Sequence, residues 1–130
     1  MATEILINDG GAPARILPFV ASETITAGYA VSIDSSGEAA LAKSGDAVFA
    51  AVGYALTTIT SGNIVSVITG HGVVLNVLCD NQNAGVGMML SNTDGTLTIA
   101  TNAAAATNCQ ATTLENNDLS TQTLTKVITH

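Results

Sequence analysis

The residues of this chain that could do acid–base or metal chemistry are few and far apart. His71 stands between two glycines, and His130, the last residue, is the second of the two histidines. A metal site needs several convergent ligands, and a general base needs its partner within hydrogen-bond reach. One further imidazole meets neither need. We therefore interpret His71 as a turn residue and predict no metal or cofactor site.

The two cysteines, Cys79 and Cys109, are the next candidates for chemistry. If a disulfide forms, it joins this pair, and two free thiols are the alternative. Cys79 ends the apolar run 73–79, which is typical of a core residue rather than of a nucleophile. The sequence also lacks a Gly-x-Ser-x-Gly elbow that would present a serine. We therefore predict that the protein is not an enzyme.

Two polar turns carry carboxylates. Asp-Ser-Ser-Gly-Glu at 34–38 is distantly like a calcium loop but lacks the alternating acids and the distal glutamate of such loops. Asn-Thr-Asp-Gly at 92–95 is the second. Both compositions are typical of hairpin turns. The Gly-Val-Gly run at 85–87 has no lysine after it and is not interpreted as a phosphate loop.

The charge balance excludes several classes of partner. The chain has three basic and ten acidic residues, a net charge of -7, and only 10% charged residues, against about 25% in an average domain. Binding to nucleic acid or to an anionic membrane needs clustered basic residues, so neither is expected. A surface with few ions loses little hydration on contact, which favours contact with other protein. The first residues carry no basic, apolar leader, so we expect synthesis in a cytoplasm.

The rest of the sequence consists of short β-prone runs separated by turn residues. Apolar and polar residues alternate in Tyr-Ala-Val-Ser-Ile-Asp at 29–34, and no segment has a helical period. Pro18 indicates that the first run lies at a sheet edge. We predict ten strands, at 15–21, 29–34, 38–43, 48–57, 64–69, 73–79, 86–91, 97–101, 110–115 and 124–129.

Residues 1–14 are interpreted as an extended N-terminal arm, followed by a single β domain at 15–130. The arm contains the β-prone run Thr-Glu-Ile-Leu-Ile at 3–7, and a cluster of turn residues at 8–13 separates it from the domain. Two roles are open for this run. It pairs with the sheet edge of a partner, or it forms an edge strand of its own sheet.

The domain also contains an internal repeat. An Ala-Gly turn, a strand and a polar turn ending in glycine occur at 27–37 and again at 84–95. Two tandem β modules, at about 15–70 and 71–130, would form a pseudo-symmetric body. The predicted fold is therefore all-β, a compact β-sandwich or small β-barrel.

Four segments carry a resemblance to a known family. They are Thr-Ala-Gly-Tyr-Ala-Val at 26–31, Asp-Ser-Ser-Gly at 34–37, Val-Gly-Tyr-Ala-Leu at 52–56 and Ser-Gly-Asn-Ile-Val at 61–65. In this order the chain resembles the head decoration, or capsid cement, proteins of tailed bacteriophages. The resemblance covers roughly residues 23–67 and extends only faintly into the second half.

The resemblance implies a function and partners. Such proteins are small β-rich subunits, commonly homotrimers, that bind the major capsid protein on the outer surface of an expanded icosahedral head and stabilise it. Their N-terminal arms often become ordered on the capsid, and the family has no catalytic residues. We accordingly expect a structural protein of the virion. The residues predicted to contact a partner are Glu4, Ile5, Leu6, Ile7, Phe19, Tyr29 and Tyr54.

A second function stays open from the residues themselves. A β-sandwich of this size could be a binding module for a glycan or a protein on a cell or virion surface. Glycan sites usually stack sugars on exposed rings, and aromatic residues make up only 3% of this chain. The composition therefore favours the decoration protein over the glycan-binding module.

Overall fold

The computed structural model describes residues 5–6, 13–42, 51–80, 84–91, 95–99, 110–116 and 122–130. Among these residues there are strands and turns but no helix. The strands are β1 (Arg15–Val20), β2 (Ala30–Ile33), β3 (Ala39–Leu41), β4 (Ala51–Ala55), β5 (Ile64–Thr69), β6 (Val74–Cys79), β7 (Gly87–Leu90), β8 (Leu97–Ile99), β9 (Ala111–Thr113) and β10 (Thr123–Thr129). Each predicted run overlaps one of these strands, and the all-β prediction is confirmed.

The first five strands form one sheet in the order β1-β5-β4-β2-β3. Its hairpin β2–β3 shows why the sequence turns where it does. The Asp34 carboxylate accepts hydrogen bonds from the N–H groups of Ser36 and Glu38, at 2.9 and 3.0 Å. Gly37 supplies the left-handed conformation, with φ at 81°. The carboxylate oxygen that resembled a calcium ligand is thus occupied by the backbone of its own turn.

The last five strands close into a small barrel in the order β6-β10-β9-β7-β8. The first sheet has the same order when five is added to each strand number. The contact that closes the barrel also has an equivalent in the first sheet. In the barrel, Cys79 and Leu97 pair in parallel between β6 and β8. In the sheet, a single parallel bridge joins Ala21, just after β1, to Ala39 of β3.

The two halves also share their strand register. Ile33 lies opposite Ala39 in the β2–β3 hairpin, and Leu90 lies opposite Leu97 in the β7–β8 hairpin. The pairings β4–β5 and β9–β10 correspond in the same way. Strands 15–69 and 74–129 therefore have one topology in common, as the sequence repeat indicated. That they are separate modules with the boundaries given above stays a prediction.

The strand β6 is covered by three parts of the chain. One edge pairs along its whole length with β10. On the other edge, the Asn76 N–H donates to the Ile5 carbonyl at 2.7 Å, and the Leu78 N–H donates to the Gly28 carbonyl at 2.9 Å. All six residues of β6 are buried as a result. Ile5 and Leu6 therefore follow the second of the two roles open for the arm, pairing within their own chain.

Two clusters of buried side chains hold the fold together. The cluster that we call the shared core draws Tyr54 and Ile68 from the first sheet and Leu75 and Met88 from the barrel, and it includes Ile5. The second cluster, the sheet core, lies on the opposite face of the first sheet. Because consecutive residues of a strand point to opposite faces, β4 contributes to both clusters. The first sheet is thus buried on both faces around its centre.

Candidate interaction surface

The strand β1 is the most exposed strand among those described, although its residues are mainly apolar. Ile16, Leu17 and Val20 are 46%, 42% and 39% exposed, and Ile64, which lies opposite Val20 on β5, is 55% exposed. In the described chain β1 has a strand neighbour on one side only, namely β5. We call Ile16, Pro18, Val20 and Ile64, which share one face of the sheet, the β1 strip; Leu17 lies on the opposite face. Contiguous exposed apolar surface of this kind marks contact sites on soluble proteins.

The strip occupies the position that β6 occupies in the other half. The parallel closing contacts align Ala21 with Cys79, so the strand β1 corresponds to the strand β6. Every residue of β6 is buried, whereas five of the six residues of β1 are exposed. Since the two strands have the same place in the same topology, the difference lies in what covers them. For β6 the cover is Ile5, Leu6 and the turn at Gly28.

Pro18 fixes which side of β1 is open. It lies opposite Ser66 in an unbroken register between β1 and β5. Proline has no N–H, so it is tolerated in an edge strand when its nitrogen faces away from the neighbouring strand. Peptide groups two residues apart face the same side, so the N–H of Val20 also faces the open edge. The edge thus offers a donor at Val20 but none at Pro18.

A half-open cleft of about 260 Å³ lies between the first sheet and the barrel. Its polar lining includes both histidines, His71 and His130, together with Gln110. The His130 ring is within hydrogen-bond distance of the Thr112 hydroxyl. Tyr54 lies against the cleft with 5% of its surface exposed. The histidines that are far apart in sequence therefore line one cleft, which their spacing did not indicate.

Burial sets the ionisation of the two titratable groups in the shared core. Burial, and to a smaller extent the neighbouring Cys79, raises the pKa of the Tyr54 hydroxyl above its ordinary range. Burial, and then Asp80, raises the pKa of the Cys79 thiol to about 12, although a hydrogen bond with Thr125 opposes the rise. Both groups keep their protons at neutral pH. A protonated, buried thiol is a packing group rather than a nucleophile.

The structure places the predicted contact residues in differing surroundings. Glu4 and Ile7 lie outside the described residues. Ile5 is 6% exposed and belongs to the shared core, and Leu6 is half-buried and bridges to Leu75. The other three are aromatic. Phe19 and Tyr29 are half-buried, and Tyr54 is buried. Their contact with a partner stays a prediction, and Ile5 and Tyr54 would have to leave the core to take part.

The exposed residues of the β1 strip were not among the predicted contacts. Aromatic rings often anchor interfaces, but among the described rings Tyr54 is buried, and Phe19 and Tyr29 are half-buried. The available signal was Pro18, which marked the first run as an edge strand. An edge strand rich in Ile, Leu and Val exposes apolar residues unless something covers it.

Two absences among the described residues and two comparisons with known proteins complete the description of the site. Among the described residues, no three His, Cys, Asp or Glu side chains form a group able to hold a metal ion. In the same part of the chain there is no helix long and apolar enough to cross a membrane. No protein-family model matches the sequence, and no curated protein is similar enough to count as a relative.

Proposed function

We propose that the chain is a capsid decoration protein, which binds the outer surface of an expanded phage head and stabilises it through contacts with the major capsid protein. The observation that carries the proposal is the β1 strip, an apolar strand left uncovered in a small all-β body. A surface of this kind is stabilised when another protein surface removes it from water. A structural subunit that assembles on a protein lattice meets this need.

The composition supports the same function. The body carries few ions, so a broad contact with other subunits requires little desolvation of charge. Many weak contacts on a repeating shell also add up, since binding at one site raises the effective concentration at the next. A clamp that binds only the expanded shell stabilises it by mass action.

The segments that carry the resemblance support the proposal at the level of the fold. The polar turn at 34–37 connects β2 and β3, and the segment 52–56 includes most of β4. The segment 61–65 leads from a turn into β5, and 26–31 leads from a turn into β2. Together these segments build much of the first sheet, the part of the chain that carries most of the resemblance.

The test uses expanded and unexpanded heads of the tailed phage whose genome encodes the chain. The purified protein should sediment with expanded heads in a saturable manner, bind unexpanded heads much more weakly, and raise the temperature at which expanded heads break. Electron microscopy should then show added density on the outer surface. Absence of binding to expanded heads would contradict the proposal.

A matched pair of variants tests the role of the β1 strip. We expect Ile16→Ser, at the end of the strip remote from Ile64, to weaken binding to heads by about tenfold, since most affinity lies in a few buried apolar anchors. Leu114→Ser is the control, because Leu114 is a comparably exposed apolar residue, at 45%, next to β9 of the barrel. Equal effects of the two variants would mean that the strip has no special role.

The cleft favours a second candidate function, a binding module for a glycan or another small ligand. It presents an imidazole, an amide and a hydroxyl, at His71, Gln110 and Thr69. Such convergent polar groups in a concave site are typical of ligand pockets. Binding to a glycan array that is lost in His71→Ala, together with no affinity for heads, would favour this module over the decoration protein.

A further inference from the structure

The turns at Gly28 and Gly85 are equivalent in the repeat but differ in what lies against them. Each glycine precedes the first strand of a hairpin and donates its N–H across the sheet, Gly28 to Ala55 and Gly85 to Thr113. Both have positive φ, at 86° and 77°. A side chain built on Gly28 would collide with Leu124, whereas one on Gly85 would meet no described residue within 4 Å. The first turn is thus packed against the barrel, and the second is open.

The surface that packs on Gly28 has an open equivalent as well. Inside the chain, the Leu78 N–H of β6 donates to the Gly28 carbonyl. The residue of β1 equivalent to Leu78 is Val20, whose N–H faces the open edge. The chain therefore has one contact, between the Gly28 turn and β6, in which both surfaces are covered. It also has the two equivalent surfaces, the Gly85 turn and β1, and no described residue covers either in this way.

A second intrachain contact repeats the pattern. The Ala30 N–H donates to the Gly95 carbonyl at 2.9 Å, and a side chain on Gly95 would lie 2.6 Å from the ring of Tyr29. The equivalent of Gly95 is Gly37, which has nothing within 4 Å of its added side chain. The equivalent of Tyr29 is Val86, which is half-buried beside the open Gly85 turn. Two pairs of surfaces are thus in contact between the two halves of one chain. Among the described residues, the equivalent surfaces of each half are open.

We propose that copies of this chain associate head to tail, with the Gly85 turn of one copy seated against β1 of the next copy. The contact repeats between copies the packing that already joins the two halves of one copy. In it, the Val20 N–H donates to the Gly85 carbonyl of the neighbour, and Val86 of the neighbour lies over the Gly37 turn. The contact covers the end of the β1 strip at Val20 and Ile64, and the occupant of that end is a second copy of the chain. The other end of the strip, at Ile16, is left uncovered by this contact.

This contact is heterologous, since two different surfaces of the same chain meet. Such contacts form a closed ring when the rotation between neighbours divides a full turn, and otherwise an open filament. A ring of three copies would contain six equivalent halves, which agrees with the trimer implied by the resemblance. The contact involves only copies of this chain, so it does not depend on binding to a capsid.

Cysteine cross-linking of purified chains tests the contact without heads. Both variants carry Cys109→Ser, and the buried Cys79 is left in place. One chain then carries Val20→Cys and the other Ala84→Cys, beside the glycine whose positive φ must be kept. Chains held in a complex have a far higher effective concentration than free chains, so the oxidised mixture should give at least about tenfold more covalent dimer than either variant alone.

Two outcomes would overturn the proposal. Efficient cross-linking of the Val20→Cys chain with itself would mean that two β1 strips face each other. No cross-link in the mixture, with a monomeric mass by light scattering at high protein concentration, would mean that the chain does not self-associate. Circular dichroism of each variant confirms that it is folded.

A bulky variant provides the second measurement. Ala84→Lys should lower the association constant by about tenfold, because the side chain would project where the neighbour's β1 is seated. Thr57→Lys adds the same side chain at an exposed position outside the proposed contact and should leave association unchanged. A loss of association in the Thr57 variant alone would contradict the proposed contact. Unchanged association in both variants would contradict it as well. A self-associating chain that fails to bind heads would overturn the capsid function while leaving this contact in place.

Discussion

At the scale of single residues, burial decides what the chemically capable side chains can do. Cys79 is fully buried at the end of β6, and its thiol keeps its proton far into the alkaline range. Tyr54, a predicted contact residue, has its ring in the shared core. The Asp34 carboxylate is engaged by the backbone of its own turn. Each of these side chains is engaged in holding the fold together.

The raised pKa of Cys79 predicts a loss of stability in alkali. The folded thiol titrates at about 12, against 9.0 for an ordinary thiol. The unfolded chain therefore loses this proton at lower pH than the folded chain. The contribution is complete below pH 9 and is lost as the pH rises from there towards 12, by up to about 1.4 kcal/mol per pH unit.

Urea unfolding between pH 7 and pH 11 measures this dependence. The difference in free energy of unfolding between the natural chain and Cys79→Ala should be constant up to about pH 9 and shrink above it. Because Cys79 contributes to the raised pKa of Tyr54, both chains also carry Tyr54→Phe, which removes the tyrosine from the comparison. A difference that stays constant up to pH 11 would show that the thiol is not held in its protonated form.

At the scale of elements, β1 and β6 show how one topology gives two outcomes. Both are first strands of a half with the same strand order, and both carry a parallel contact near their ends. β6 has the donor of Asn76 where β1 has Pro18, so only β6 can bond the Ile5 carbonyl. Proline at this place protects the open edge from indiscriminate strand pairing. The edge is thus available to a specific partner rather than to any strand.

The substitution Pro18→Thr tests this protective role. It should add an N–H to the open edge of β1 and strengthen unspecific association by about fivefold, the effect of one additional backbone hydrogen bond. Light scattering against protein concentration measures the change. Pro13→Thr is the control, since Pro13 precedes β1 and lies outside the strand. Equal scattering by the two variants would contradict the role of Pro18.

At the scale of the whole molecule, the shared core joins the two halves and the N-terminal segment. Residues of the first sheet, of the barrel and Ile5 contribute to one cluster. The carbonyl of Ile5 also accepts a backbone hydrogen bond from β6. A segment held in this way is part of the fold of the free chain. Any role of this segment on a capsid therefore requires either a different part of the arm or the release of Ile5 from the core.

The substitution Ile5→Ala measures how firmly the segment is held. It should lower the free energy of unfolding by about 2–5 kcal/mol, through lost burial and the cavity left behind. Ile64→Ala removes the same atoms from an exposed site and should change it by no more than about 0.5 kcal/mol. Unfolding should stay a single transition in both variants, because the shared core links the halves. A small effect at Ile5 would mean that the segment is not packed in solution.

The sequence by itself determined the local structure of this protein. All ten strands and the polar turn at 34–37 followed from alternation and from turn residues, which act over a few neighbouring positions. The repeat was visible because equivalent turns keep their glycines, as at Gly28 and Gly85. Equivalent local patterns then gave equivalent strand order and register. The predicted core role of Cys79 followed in the same way, from its place at the end of an apolar run.

The tertiary structure alone decided which surfaces are covered. Pro18 marks β1 as an edge strand, but the local pattern does not show what covers β6, since both are short apolar strands that end at a parallel contact. The difference arises because Ile5 and the Gly28 turn pack on β6, over distances of about 50 to 70 residues in sequence that no periodicity records. For the same reason the predicted contacts include Ile5 and Tyr54, which the fold buries. The open surfaces at β1 and at the Gly85 turn became visible only when the two halves could be compared.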